Sequence, residues 1–408
     1  MKQKKLHQCI LAGAAWLLAS CAAIAQTPAA PPPPLKIGVL TDMSSINSHM
    51  GGAGAVVAAR MAVQDFGGKV NGRAIEVVSA DHQGKPEVAA TIARKWYEND
   101  GVEVITELTN SAVAIAVQNV AKGLGKINIV SGGVTEALIG KECSPTGIHW
   151  TFDTYSLAVG TTRAVVQQGA KRWFFITADY AFGQSMQARA TEVINSMGAT
   201  MVGSVLVPQG TKDFSSYLLR AKASGADAIA LAVAGNDLLN AIKQAKEFGI
   251  TKGGQRLVAS ILFIPEVHAL GLETAQGLTL TTNFYWDRDD STRAWSKRFY
   301  EQHGSMPTSP QAGNYSSVTH YLKAVAAARS SDPKLVLQKM RDTPVNDFYA
   351  RNGHIREDGK LVHELILAEV KKPSESKARW DYYKVLAPIP SQSAFIPLAQ
   401  SECSLVKK

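Results

Sequence analysis

LKIGVLTDMSSINSHMGGAGAVVAARMAVQDFGG, residues 35–68, sets a pattern that the rest of the chain repeats. It opens on an apolar run, residues 35–40, bounded by prolines before and by Thr41-Asp42 after. Residues 54–66 follow with the spacing of an amphipathic helix, and Gly67-Gly68 stops them. Outward from this unit, residues 74–79 read as a strand and 86–99 as a helix with proline in its first turn. Residues 102–107 and 127–130 are further strands, each followed by a helix. Short β-rich runs alternating with amphipathic helices signal a parallel sheet covered on both faces.

A second array follows. Residues 172–177 (RWFFIT), 200–205, 227–233 and 257–260 read as strands, with helices over 182–197, 214–223 and 238–248. Residues 278–285 read as one long strand, and 292–303, 310–328 and 333–340 as helices. Residues 353–369 and 380–386 have the pattern of antiparallel strands. The fold class expected is therefore α/β, with two doubly wound parallel-sheet lobes. The chain should cross between them near 152–153, 281–282 and 343–347. That gives lobe I as 35–152 plus 282–344, lobe II as 153–281 plus 345–400, and a tail over 401–408. Several crossings make a hinge on which lobes can close around a ligand.

The first residues read as an export leader. Lys2, Lys4 and Lys5 precede the short apolar run 10–19, and Ala23-Ile24-Ala25 offers a small-x-small cleavage site. Leu18-Ala19-Ser20-Cys21 resembles a lipobox, an alternative cut that would leave a lipid anchor on Cys21. Residues 26–34, with four consecutive prolines, are a stiff spacer. Cleavage of 1–25 lowers the formal charge of +9 by three lysines. The remaining basic residues are scattered, which argues against a nucleic-acid groove. Cys143 and Cys403 alone survive cleavage, and in an oxidising compartment such a pair is expected to form a disulfide. It would pin the C-terminal tail onto lobe I.

Several stretches together resemble a known family: "LKIGVLTDMSS", "AARMAVQDFGGKVNGRAIEVVSADHQGKPEVAATIARK", "HWTFDTY", "ITADYAFGQS" and "TKDFSSYLLRAKASGADAIALA". In order and spacing they are similar to the leucine/isoleucine/valine-binding type of periplasmic binding protein, the receptor of an ABC importer. "DMSS", "VSGG", "CSPTGIHWTFDTY" and "FYWDRDD" resemble its aromatic-acid branch. The resemblance implies a small-molecule ligand held between two lobes, a membrane permease as partner, a periplasmic location, and neither catalysis nor cofactor.

In open α/β sheets ligands sit beyond the carboxyl ends of strands, at helix N-termini. Ser44 and Ser45, Thr109-Asn110-Ser111, and Ser131-Gly132-Gly133 occupy such loops and offer donors suited to a carboxylate. Each has a plainer use: Asn110 or Ser111 as a helix cap, Gly132 as a turn. Tyr180 and Phe182 follow the strand RWFFIT. The resemblance places Phe182 where the family stacks an aromatic ring on its ligand, against a hydrophobic staple as the plainer use. Tyr285 and Trp286 are candidates to wall the cleft or simply to pack. Asn236 and Asp237 are expected mainly to cap a helix, with Asp237 the one nearby counter-charge if the ligand carries an amino group.

Amino-acid binders of the family place an acid after the strand matching 257–260; here Ser260-Ile261-Leu262-Phe263-Ile264 stands instead, and Glu266 is the first acid. A buried ammonium without a partner costs several kcal/mol. The expected ligand is thus an acid lacking an amine, aromatic in body, with an amino acid as the alternative. Gly52-Ala53-Gly54 begins a dinucleotide fingerprint, but Val57 stands where its third small residue belongs. There is no hydrolase elbow, zinc-protease or phosphate-loop motif, and His149 beside Trp150 reads as structural. Neither catalytic nor metal-binding residues are assigned. A ligand-sensing module for a signalling receptor would need the same cleft and is the rival of another class.

Overall fold

The computed structural model describes residues 31–407; the leader, Cys21 and the start of the spacer lie outside that range. β1 (Leu35–Thr41) is buried at every residue but Lys36. Its unbroken apolar run follows from cover on both faces of its sheet. With β2 (Lys69–Val70), β3 (Arg73–Asp81), β4 (Val102–Glu107), β5 (Ile127–Val130) and β6 (Gly147–His149) it forms a six-stranded sheet in the order β2-β3-β1-β4-β5-β6. All neighbours are parallel except the short β2 against β3. Helices Gly52–Phe66, Pro86–Glu98 and Ser111–Leu124 connect these strands. Gly67 ends the first of them at φ 99°, a left-handed value that glycine adopts without strain.

β7 (Arg172–Ala178), β8 (Thr200–Val207), β9 (Ala228–Ala232) and β10 (Arg256–Ala259) form a second parallel sheet, ordered β10-β9-β7-β8. In both sheets the first strand lies between two that follow it in sequence. Successive crossovers therefore leave in opposite directions and open a gap at the strands' carboxyl ends. A third, antiparallel sheet joins β11 (Thr279–Thr282), β14 (Leu365–Val370) and β15 (Tyr383–Ile389), and β12 (His354–Ile355) pairs with β13 (Leu361–Val362).

Two readings of the sequence need correction. The long strand expected over 278–285 stops at Thr282. The buried Asn283 side chain bonds to Tyr349 and Ser309 instead of continuing a ladder. Phe284 then joins the core of the first sheet while Tyr285 stays with that of the second. The last crossing is also later than 343–347, because Val345, Tyr349, Ala350, Ile355 and Leu361 belong to the first core. Hairpin β12-β13 holds them there: His149 N donates to Gly359 O at 2.9 Å, extending the edge of the first sheet.

A buried cation sits at this junction. Lys360 is fully buried; its Nζ bonds to the Thr151 carbonyl, lies 3.6 Å from Asp153 Oδ2, and sits 4.7 Å from the centre of the Phe395 ring. Cys143 and Cys403 form a disulfide across 260 residues of chain, with Cα atoms 5.6 Å apart, tying the tail beside the first sheet. Among the described residues, no helix is long and apolar enough to cross a membrane.

Candidate functional site

The carboxyl ends of both sheets face one crevice whose enclosed free space is about 20 Å3. From the first sheet come Asn47 and Met50 after β1, Thr109, Asn110 and Ser111 after β4, and Gly132 and Val134 after β5. From the second come Tyr180 and Phe182 after β7, Ala234 after β9 and Ile261 after β10. That is room for about one water molecule, so a solute enters only when the loops of the two sheets move apart. Most of the lining is apolar, and the rings of Tyr180 and Phe182 lie 6.1 Å apart on one wall.

Polar groups are few and largely committed. The Asn110 side chain caps helix Ser111–Leu124 by accepting from Ala112 N and Val113 N. Ser111 Oγ accepts from Val134 N and Thr135 N, lacing two lining loops together. Thr109 bonds back to the buried carboxyl of Glu107. Gly132 is required by close approach: a Cβ there would overlap both Glu107 Oε1 and the Thr109 hydroxyl. Asn47 Oδ1 is buried without a hydrogen-bond partner. Helix Ala181–Ser196 has no side-chain cap, so its first N–H groups have no side-chain acceptor at its positive end.

The other candidate residues sit elsewhere. Ser44 Oγ donates to Asp81 Oδ2 at 2.5 Å, and Ser45 donates to Asp42, so both hydroxyls fix their own loop. Ser131 Oγ is buried one residue below the lining and has no partner. The Gly133 carbonyl bonds to His149 Nε2 at 2.8 Å, and burial holds that imidazole well below its ordinary pKa, as a structural histidine. Asp237 does not cap: it accepts from Gly210 N at 2.9 Å, and burial pushes it up to about 6. Tyr285 and Trp286 line a different, nearly filled space of about 10 Å3 with Phe263, Thr308 and Tyr383. The strand-end rule applied to β9 and β10 would have found Ala234 and Ile261, which lack any chemical signature of their own.

Contacts run across the mouth of the crevice. Arg189 Nε lies 3.1 Å from each carboxylate oxygen of Glu136, joining a helix of the second sheet to the loop after β5. Asn236 N donates to Ile46 O at 3.1 Å, and a Cβ on Gly235 would overlap that carbonyl. His49 Nε2 lies 3.1 Å from Glu266 Oε1, while Glu266 Oε2 accepts from Phe263 N at 2.7 Å. Burial alone would lower the His49 pKa, but the hydrogen bond and charge of Glu266, with Asp42 behind them, carry it above its ordinary value of 6.5. The folded state therefore holds this proton more tightly than the unfolded chain. The pair's contribution is complete below pH 6.5 and is lost as pH rises through the raised folded value. Relative to His49→Gln, the wild type should be about 1 kcal/mol more stable at pH 6, and the difference should vanish toward pH 8 in thermal melts. A constant difference over that range would mean that the imidazolium charge contributes nothing.

Two doubly wound sheets, gripping a crevice between their strand ends, define a two-lobed solute-binding architecture. The chain belongs to the periplasmic binding protein family, whose model it matches over residues 34–377. It is 48% identical to a periplasmic binding protein from Burkholderia mallei, over 92% of this chain and 99% of that one, with a TM-score of 0.90. A branched chain amino acid ABC transporter periplasmic ligand-binding protein from Burkholderia xenovorans is 40% identical, over 91% of this chain and 100% of that one, with a TM-score of 0.82. A Leu/Ile/Val-binding protein homolog of Brucella melitensis is 26% identical over 63% of this chain, and the match spans 65% of that relative's length.

Proposed function

We propose that this chain is the extracytoplasmic receptor of an ABC importer, closing two lobes on one small carboxylate-bearing solute and presenting it to a membrane permease. The observation that carries this reading is the single crevice lined by strand ends of both sheets. The leader-like residues 1–25 fit export to the periplasm. The loops at Thr109 to Ser111 and at Gly132, with the uncapped start of helix Ala181–Ser196, form the anion-binding side of the site. Phe182, Tyr180, Met50 and Ile261 enclose an apolar body.

An aromatic acid without an amine suits this arrangement. Asp237 is turned to Gly210, and Glu266 is already engaged by His49 and Phe263 N, so neither acid is free for an ammonium. The amino-acid reading has its own support in the buried Glu266 beside the mouth and in the description of the Burkholderia xenovorans neighbour.

A thermal-shift screen of benzoate-type acids against branched-chain amino acids separates the two. At a concentration one hundred times Kd a solute stabilises its receptor by about 2.7 kcal/mol. Benzoate-type acids should raise the melting temperature, and Phe182→Ala should remove most of that rise. A rise with leucine alone would reverse the ranking; no rise with any carboxylate would refute the site.

A further inference from the structure

Glu107 ends β4 and is fully buried, one side chain behind the crevice wall. Its Oε2 accepts from Thr109 N at 3.0 Å, and its Oε1 makes a short hydrogen bond with the Thr109 hydroxyl. Gly51 and Gly132 flank that oxygen, and a Cβ on either would collide with it. The backbone is distorted to hold this arrangement: Glu107, Leu108 and Asn110 have φ of 83°, 63° and 84°, in a region that residues with side chains disfavour. Such distortion persists only where the surroundings enforce it, and it concentrates at ligand clamps.

The Thr109 hydroxyl has one hydrogen and two places to send it. Facing an ionised Glu107, it must donate backwards, and a full negative charge then stands behind Thr109 and Gly132, both of which line the crevice. Facing a protonated Glu107, it accepts from the acid, and its own hydrogen is free to point into the crevice. We infer that Glu107 is a positioning residue whose proton turns the Thr109 hydroxyl toward the bound carboxylate, so that capture of the anion is coupled to uptake of one proton. This inference rests on the reading of the crevice as the solute site and adds to it a dependence on pH.

The surroundings of Glu107 favour the proton. Burial first, and then the charge of Asp42, push its pKa up to about 7, against hydrogen bonds from Thr109 and Thr41 that pull it down. Asp42 is also faced by His82, after β3, which burial holds down to about 4 and so neutral from pH 6 to 8, and by His49, whose pairing with Glu266 is a separate pH response that Glu107→Gln leaves in place. Gln311 reaches Gly51 O from the far side and is uncharged.

The test is calorimetric titration of the full chain with benzoate and with leucine at pH 6 and pH 8, in phosphate and in Tris, for wild type, Glu107→Gln and His49→Gln. For whichever solute binds, wild-type affinity should fall about tenfold from pH 6 to pH 8, because binding selects the protonated acid. At pH 8 the heats in the two buffers should report close to one proton taken up per solute. Glu107→Gln, a fixed mimic of the acid form, should lose the Glu107 proton and most of the pH response, keeping only the part that His49→Gln removes. Wild-type binding that is equal at both pH values, with no proton uptake, overturns the relay and leaves the crevice reading intact. Failure of wild type and Glu107→Gln to bind either solute removes the crevice reading and the relay with it. Should Glu107→Gln not fold, Thr109→Val serves: it should bind more weakly at pH 6 and lose most of the pH response, and a retained wild-type response overturns the inference.

Discussion

Replacing Lys360 with methionine is expected to destabilise the protein by about 3–5 kcal/mol, the cost of breaking a buried ion pair by removing one partner. The ammonium is fully buried and neutralises Asp153, whose Oδ2 has no hydrogen-bond partner of its own. It also holds the Thr151 carbonyl and covers the Phe395 ring. Burial pushes its pKa down to about 8, with Asp153 opposing, so it remains charged at neutral pH in spite of the desolvation. Methionine fills the volume but leaves a carboxylate and a carbonyl unanswered. The pair also has a topological place: Thr151 and Asp153 lie where the chain first passes between the sheets, and Lys360 just before it passes for the last time. Chemical denaturation should show the loss. Combining Lys360→Met with Asp153→Asn should recover more than half of it, since the stranded charge goes too. A loss under 1 kcal/mol for the single variant would show that water or a neighbouring group satisfies Asp153.

Removing the Cys143–Cys403 bridge is expected to cost about 5 kcal/mol, close to the chain-entropy value of about 5.6 kcal/mol for so long a loop. The sequence separation is 260 residues, so the link closes well over half of the 408-residue chain into one loop. In the native state the tail has other anchors, among them Arg356 Nη1 donating to Ile396 O at 2.7 Å and the buried Phe395. The folded geometry should therefore survive in Cys143→Ser/Cys403→Ser, and solute affinity should stay the same, because neither cysteine lines the crevice. Melting temperatures with and without reductant check this directly. An unchanged midpoint would mean that the unfolded chain is already compact across this span.

Much of the architecture was legible from periodicity because the strands are short, buried on both faces and separated by helices of ordinary length. β1 and β7 stand out as apolar runs for this reason. The strand-end rule located the crevice for Thr109 to Ser111, Gly132, Tyr180 and Phe182. It failed where side chains had a nearer partner than a solute. Ser44 and Ser45 turn to Asp81 and Asp42, and Asp237 turns to Gly210, choices that depend on folds of the loop invisible in a linear string. Tyr285 was misplaced because the chain changes cores at Asn283, a buried amide that reads in sequence as one more polar residue in a strand. Glu107 gave no signal at all. Its left-handed backbone is usually announced by glycine, and here the glycines that permit it, Gly51 and Gly132, lie on other loops.

Gly235, whose missing side chain lets the two lips of the crevice meet at Ile46, bears on how such a receptor can diverge. No smaller amino acid exists, so descent by mutation at this codon runs in one direction. Every replacement places a wedge in the seam against Ile46, beside Ala234, which lines the crevice.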